Sequence, residues 1–329
     1  MASASPTRLS DAPVVAAGSV PGYGPIFNAG VIEQDGVFHL FARGVRDGYT
    51  RNEGSTGARF LDYISDVLVF TSRDGVDYAF QQVLAESWVD GGFTYEDPRV
   101  QRVTSEGVEK VVMTYTNLPA PESGNPWRIG VHRLAYVDDR FQLNRTSGSV
   151  VGPDGIPNKD AVLFNLSDGR VAMIHRIHPD MQLAVFDSLD ELWNPPAGYW
   201  DNHVEGLERH VLISPSDGSL GVGAGAPPVL VDDALVLFFH EREADGQYTV
   251  KVAELDRETG QLRSLLREAI MRPELVWERE GDVDNVVFVQ GAVPQADGTV
   301  YLTYGAADTC VGAASVVGSE VVAALRATA

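Results

Sequence analysis

The chain has 329 residues, 44% of them hydrophobic, which is enough apolar material for a sizeable core. It carries 46 acidic against 25 basic residues, a formal net charge of −21. That balance excludes a nucleic-acid or anionic-membrane partner, because phosphate groups are bound through excess Lys and Arg.

Residues 1–20 are rich in Ala, Ser and Pro, contain Arg8 and Asp11, and lack the continuous apolar stretch of a signal peptide. They read as a leader, of the kind a ring-shaped fold can recruit for closure. From residue 21 onward an octad governs the chain, a turn-type or polar residue followed by a β-rich apolar run. It occurs at Gly36–Arg43, Glu109–Thr116, Gly169–Arg176, Asp233–His240 and Gly298–Gly305. Intervals of roughly 60 to 73 residues suit four-stranded propeller blades. The expected fold is therefore all-β, a single five-bladed β-propeller over residues 21–329.

Blade one is expected from about Tyr23 to Phe80, with Asn28–Ile32 as its inner strand and Val67–Ser72 further out. The polar, aperiodic insertion Arg46–Asp62 reads as a long loop over one face. In blades two and three, Asp97–Val103 and Asp160–Asn165 precede the octads. Between Asp187 and Ser219 the pattern breaks into a segment with Pro195, Pro196 and several aromatics, either a surface excursion or a lid over a sugar site. Blade four is expected over Gly223–Glu254 and blade five over Asn285–Ala314, with one helical turn at Ser319–Arg326. The longest apolar run, Ala234–Phe239, is far too short for a membrane span.

The octads end on Arg43, Thr116, Arg176, His240 and Gly305, so one equivalent position carries a cationic residue type in three of five repeats. Such a position calls for an anionic or polyhydroxylated partner. A second motif precedes each octad and includes Asn28, Glu96-Asp97-Pro98-Arg99, Lys159-Asp160, the Gly223–Pro228 stretch and Val287–Gly291. Innermost propeller strands line the central channel, so Asn28, Asp97, Lys159, Asp160, Arg43, Arg176 and His240 should converge there. Alternation along a strand lets only one of Glu96 and Asp97 face it.

Other chemistries find little support. His175, Arg176 and His240 have no metal-ligand spacing, no Gly-x-Ser-x-Gly elbow occurs, and Gly221–Gly225 does not open a helix. Neither a metal nor an organic cofactor is expected. The lone Cys310 cannot form an intrachain disulfide and reads as a packing residue, which points to a reducing, cytoplasmic setting.

Taken together, FNAGVI with HLFAR, YEDPRV, NKDAVLF with MIHR, GAGAPPV with LFFH, and NVVFVQGAV with YGAAD resemble glycoside hydrolase family 130, the β-mannoside phosphorylases and mannosidases. The resemblance runs in order from about Phe27 to Gly312 and itself implies a five-bladed propeller. It implies that Asp97 is the general acid, protonating the glycosidic oxygen through a sugar hydroxyl with inversion at the anomeric carbon. Asn28, Arg43, Asp160 and Asp308 fall to substrate binding, and Lys159, Arg176, His240 and Tyr248 to phosphate.

One position departs from that pattern. The phosphorylases carry a lysine nineteen positions before the histidine, and here Gly221 stands there. The departure keeps an inverting hydrolase open as the alternative, for which Glu205, Glu208, Glu241 or Glu243 would be the base. A non-catalytic glycan-binding propeller is a further reading. The expected partner is an oligosaccharide, with inorganic phosphate as co-substrate if the enzyme is a phosphorylase; an assembly of several copies is compatible with the sequence.

Overall fold

The computed structural model describes residues 4–52, 59–89, 93–120, 123–145 and 149–328. Five antiparallel sheets follow one another along the chain. The first pairs Tyr23–Gln34, Val37–Arg46, Ser65–Ser72 and Ala79–Ala85 in order. The second pairs Phe93–Ser105, Val108–Pro119, Arg128–Val137 and Arg140–Leu143, and the third Lys159–Asn165, Val171–Ile177, Asp180–Phe186 and Val211–Ile213. In the fourth, Gly221–Ala224 and Val229–Val231 both pair with Ala234–Arg242, and Tyr248–Leu255 and Leu262–Met271 follow. This blade extends to Met271, beyond the expected end at Glu254.

Every octad becomes the second strand of its blade, buried on both faces as a short apolar run bounded by turn residues should be. The register is the same in all five. Arg43, Thr116, Arg176, His240 and Gly305 stand opposite Phe27, Glu96, Lys159, Gly223 and Phe288 of the inner strands.

Immediately after that pairing the inner strands bulge, between Phe27 and Gly30, Glu96 and Arg99, Lys159 and Val162, and Val289 and Gly291. Asn28, Asp97 and Asp160 take positive φ there, at 46°, 51° and 57°. Asn and Asp tolerate that region best among residues bearing a Cβ. A bulge bends its strand and re-aims the side chain. Three blades thereby turn a polar group toward the axis at the same depth.

The blades pack face to face through five hydrophobic clusters among the described residues, one for each neighbouring pair. Phe41, Val67 and Val69 meet Tyr95, Met113 and Phe141 between blades one and two. Met173, Ala184 and Phe186 meet Val103, Val112 and Ile129 between two and three. The seam between blades five and one joins Tyr301, Val311 and Ala313 to Ile26, Leu40 and Leu68. A core present at every seam, the last included, is the signature of a closed ring.

The fifth sheet corrects the expectation of a separate leader over residues 1–20. Its strands are Val287–Pro294, Thr299–Ala306, Cys310–Val317 and, outermost, Thr7–Arg8, with Thr7 opposite Ser315 and Arg8 opposite Ala314. Arg8 also donates to Glu278 (2.7 Å) and Glu274 (2.8 Å). An edge of unpaired backbone groups is thereby covered.

The Asp187–Ser219 excursion forms two short helices, Leu189–Trp193 and Tyr199–Glu205, and a 3-10 turn at Leu207–His210. Trp200 lies edge-on to His175 and beside Phe186, and so packs onto blade three. In the Arg46–Asp62 insertion, Thr50–Arg51 pairs with Phe60–Leu61, and residues 53–58 lie outside the described set. Tyr49 and Tyr63 donate to the Asp282 carboxylate at 2.8 and 3.2 Å, pinning the insertion beside the channel. The expected terminal helix spans Gly318–Arg326 and buries Val321, Val322 and Leu325. No helix among the described residues is long and apolar enough to cross a membrane.

Candidate active site

The channel is blocked at one depth by Arg99 and Gln290. Arg99, fully buried, donates to the carbonyls of Gly225 (2.8 Å), Ala224 (2.7 Å) and Asp97 (3.1 Å) and to Asp160 Oδ1 (3.3 Å). Gln290 donates to the carbonyls of Asn28 (2.9 Å) and Pro98 (2.8 Å). These two side chains tie blades one, two, three, four and five together at the axis. The inner strands they join also line a cavity of about 180 Å³, bounded by Asn28, Arg43, Arg59, Glu96, Asp97, Lys159, Asp160, Arg176, His240, Arg242, Tyr248 and Asp308, among others.

One wall is built of carboxylates. Asp97 Oδ1 accepts from Asn28 Nδ2 (2.9 Å) and Arg43 Nη1 (3.3 Å), while Oδ2 has no hydrogen-bond partner among the described residues. Arg43 also pairs with Glu96, accepts the ring of Phe27 below it at 5.0 Å, and lies 5.3 Å from the Tyr63 ring. Glu96 and Asp97 thus both reach the cavity. The bulge between them cancels the alternation that was expected to turn one away. Asp308 completes this wall. Burial and the charge of Asp97 push its carboxyl up to about 7, against the pull of Arg43 and Arg59.

The opposite wall is cationic. Arg176 Nε lies 3.0 Å from Asp160 Oδ2, and His240 Nε2 lies 3.7 Å from the same oxygen. Burial would raise the Asp160 carboxyl, but Arg176 and Arg99 outweigh it and hold the group below the usual carboxylate range. His240 is not the cation its place in the repeat suggested. Burial drives its pKa well below the ordinary value; the Asp160 charge pulls it back, and Arg176, Arg99 and Lys159 push it further down. Its Nδ1 is buried without a partner among the described residues, as are Asn28 Oδ1 and Gln290 Oε1.

Two glycines make these contacts sterically possible. A Cβ at Gly223 would stand 2.4 Å from Asp160 Oδ2 and 2.5 Å from His240 Cε1, and one at Gly305 would stand 1.9 Å from Asn28 Oδ1.

The structure does not bring the four glutamates into this cavity. Glu205 lines a separate cavity of about 520 Å³ with Tyr199, Trp200 and Asp154, and Glu208 is exposed beyond the same helix. Glu241 is held by Lys251 at 2.7 Å and by Ser216, and Glu243 by Arg272 at 2.9 Å. The alternation of the Ala234–Arg242 strand sends Glu241 to the face opposite His240. His175, likewise opposite Arg176, contacts Asn158 (3.2 Å) and His203 (3.1 Å). Among the described residues no group of three or more His, Cys, Asp or Glu side chains is placed to hold a metal ion.

Sequence reasoning missed Arg59, Glu96 and Arg242 as cavity residues and Arg99 and Gln290 as axial ties. Glu96, Arg99 and Gln290 stood within the motifs that precede the octads, and Arg242 stood two residues after His240, on the same face of its strand.

A closed five-bladed propeller with carboxylates facing cations across its axial cavity defines a carbohydrate-active enzyme of the glycoside-cleaving class. The profile of glycoside hydrolase family 130, described as beta-1,4-mannooligosaccharide phosphorylase, matches residues 7–327, and the chain belongs to that family. A 1,2-beta-oligomannan phosphorylase of Thermoanaerobacter sp. (strain X514) is 29% identical over 313 residues, 93% of this chain and 95% of the relative. A Beta-1,2-mannobiose phosphorylase of the same organism is 29% identical over 299 residues, 88% and 89% of the two chains. Among solved structures, the Beta-1,2-Mannobiose phosphorylase of Listeria innocua in complex with beta-1,2-mannobiose superposes with a TM-score of 0.75. It is 18% identical and covers 98% of this chain and 99% of that one.

Proposed function

We propose that the protein cleaves β-mannosides by phosphorolysis with inversion, yielding α-mannose 1-phosphate and the shortened saccharide. The observation that carries this reading is the division of the cavity into a carboxylate wall around Asp97 and a cationic wall of Lys159, Arg176 and Arg242 beside His240. Asn28, Arg43 and Asp308 hold the mannosyl unit against Asp97. A phosphate oxygen attacks the anomeric carbon from the cationic side while the bond to the leaving oxygen breaks on the other. Asp97 supplies the proton that the leaving oxygen takes, by way of a sugar hydroxyl. Beside it, burial and the charge of Asp97 raise the Asp308 carboxyl to about 7, so this wall holds a group that keeps a proton close to neutrality.

Lys159 and Arg176 provide charge for the phosphate, and His240 and Tyr248 provide neutral donors. Asp160 serves this wall by positioning Arg176 and His240 and is not a sugar ligand in this reading. It is also a poor candidate for activating water, since neighbouring cations weaken it as a base. A lone buried cysteine suits a reducing compartment, so the cytoplasm is the proposed setting.

The test is incubation with β-1,2- and β-1,4-linked mannosides in the presence and absence of inorganic phosphate. Mannose 1-phosphate formed only when phosphate is present is the expected result. Free mannose released at the same rate in phosphate-free buffer would overturn the reading in favour of hydrolysis.

A further inference from the structure

The family's lysine position is occupied by Gly221, yet the structure puts a cation directly across from it. Gly221 and Arg242 are Cα partners in the antiparallel ladder, two residues along from the partners Gly223 and His240. Arg242 and His240 therefore lie on one face of one strand. Arg242 lines the axial cavity and also an adjoining one of about 240 Å³, whose walls include Trp127, Lys159, Arg176, His178, Gly221 and Tyr248. The two cavities share Lys159, Arg176, Arg242 and Tyr248, the residues that flank the cationic wall.

In a chain with 46 acids and 25 bases, a cation usually finds a carboxylate. The Arg242 guanidinium has no ion pair or hydrogen bond among the described residues. It stacks instead on the Tyr248 ring, with Cζ 5.5 Å from the centroid. Lys159 stands over the Trp127 ring at 5.9 Å and likewise has no ion pair among the described residues. Asp160 offsets Arg176, but Arg242 and Lys159 have no carboxylate of their own, and an anionic ligand between these cations lowers their mutual repulsion. At position 221 a Cβ would lie 3.1 Å from His178 Cε1, so a side chain there would require the imidazole to shift by a few tenths of an ångström.

We infer that Arg242 is a phosphate-binding residue, contributing from the opposite strand the charge that Gly221 lacks. The inference rests on the phosphorolytic reading and narrows it to one side chain. A planar guanidinium held flat on Tyr248 presents two N–H groups to two phosphate oxygens, a geometry an ammonium group lacks.

The test compares wild type, Arg242→Gln and Arg242→Lys in phosphorolysis with phosphate and mannoside varied separately, alongside calorimetric titration with inorganic phosphate and a melting curve for each protein. Arg242→Gln is expected to raise the KM for phosphate about tenfold or more while leaving the KM for mannoside within about twofold, with Arg242→Lys intermediate. An unchanged phosphate KM in a folded Arg242→Gln variant would overturn the inference while leaving phosphorolysis intact. Should wild type prove phosphate-independent in turnover, the functional reading fails first and the titration decides. Phosphate binding weakened in Arg242→Gln would still support this assignment, and binding equal in the two proteins, or absent from both, would refute it.

Discussion

Replacing Arg99 by methionine removes the central tie of the ring while keeping a side chain of similar length in its path. Three buried carbonyls, those of Ala224, Gly225 and Asp97, lose a charged donor, and Asp160 loses one of its two guanidinium neighbours. Each orphaned acceptor costs about 1–3 kcal/mol. Part of that is returned because a buried guanidinium no longer has to be desolvated, so a net loss of about 3–5 kcal/mol is expected. With an unfolding entropy near 2.1 cal/mol/K per residue, a chain of 329 residues should then melt about 4–7 °C lower. Differential scanning calorimetry at neutral pH and urea titration followed by circular dichroism both read this loss. A melting temperature within about 2 °C of wild type would mean that the blade seams alone hold the ring and that Arg99 is not a structural tie.

Asp97→Asn should lower kcat by about 10²–10⁴-fold with the KM for mannoside changed only a few-fold, as loss of a general acid predicts; retention of more than about a tenth of the rate would place the acid elsewhere. Asp308→Asn tests the raised carboxyl. In the unfolded chain this group ionises near 3.8, in the folded protein at about 7, so its stabilising protonated form is fully present below the lower value and lost as pH rises through the upper one. The asparagine variant should therefore gain stability over wild type at pH 8 and much less at pH 5. After discounting for partial exposure, the difference is about 1–3 kcal/mol. Identical melting differences at the two pH values would refute the shift.

The second strands were legible because their octads set a turn-type or polar residue before a β-rich apolar run at a repeat length suited to blades, and the structure returns all five in one register. Bulges were not legible. Nothing in Glu96-Asp97 distinguishes a left-handed aspartate from an extended one, so the arrival of both carboxylates at the cavity could not be foreseen. His240 was misread as a cation because charge at neutral pH depends on burial, which a local sequence pattern does not record. The four glutamates failed for a related reason. Nearness along the chain is not nearness to the axis, and the strand face that carries Glu241 is turned away from it. Arg99 stood in the Glu96-Asp97-Pro98-Arg99 motif with nothing local to say what it would meet. Its true partners at 160, 224 and 225 are brought to it only by ring closure.

The outermost strand of the fifth blade comes from Thr7–Arg8, while its partner strand is Cys310–Val317. During synthesis at about 5–20 residues per second, roughly 15–60 s separate the emergence of these two strands from the ribosome. Through that interval the first strand has no mate, and the seam between blades five and one is open, with Ile26, Leu40 and Leu68 uncovered. Folding of this enzyme thus has a compulsory final event, in which Thr7–Arg8 waits for a partner made about 300 residues later. Extensions fused ahead of residue 7 would act on that event, slowing maturation more than they weaken the finished protein.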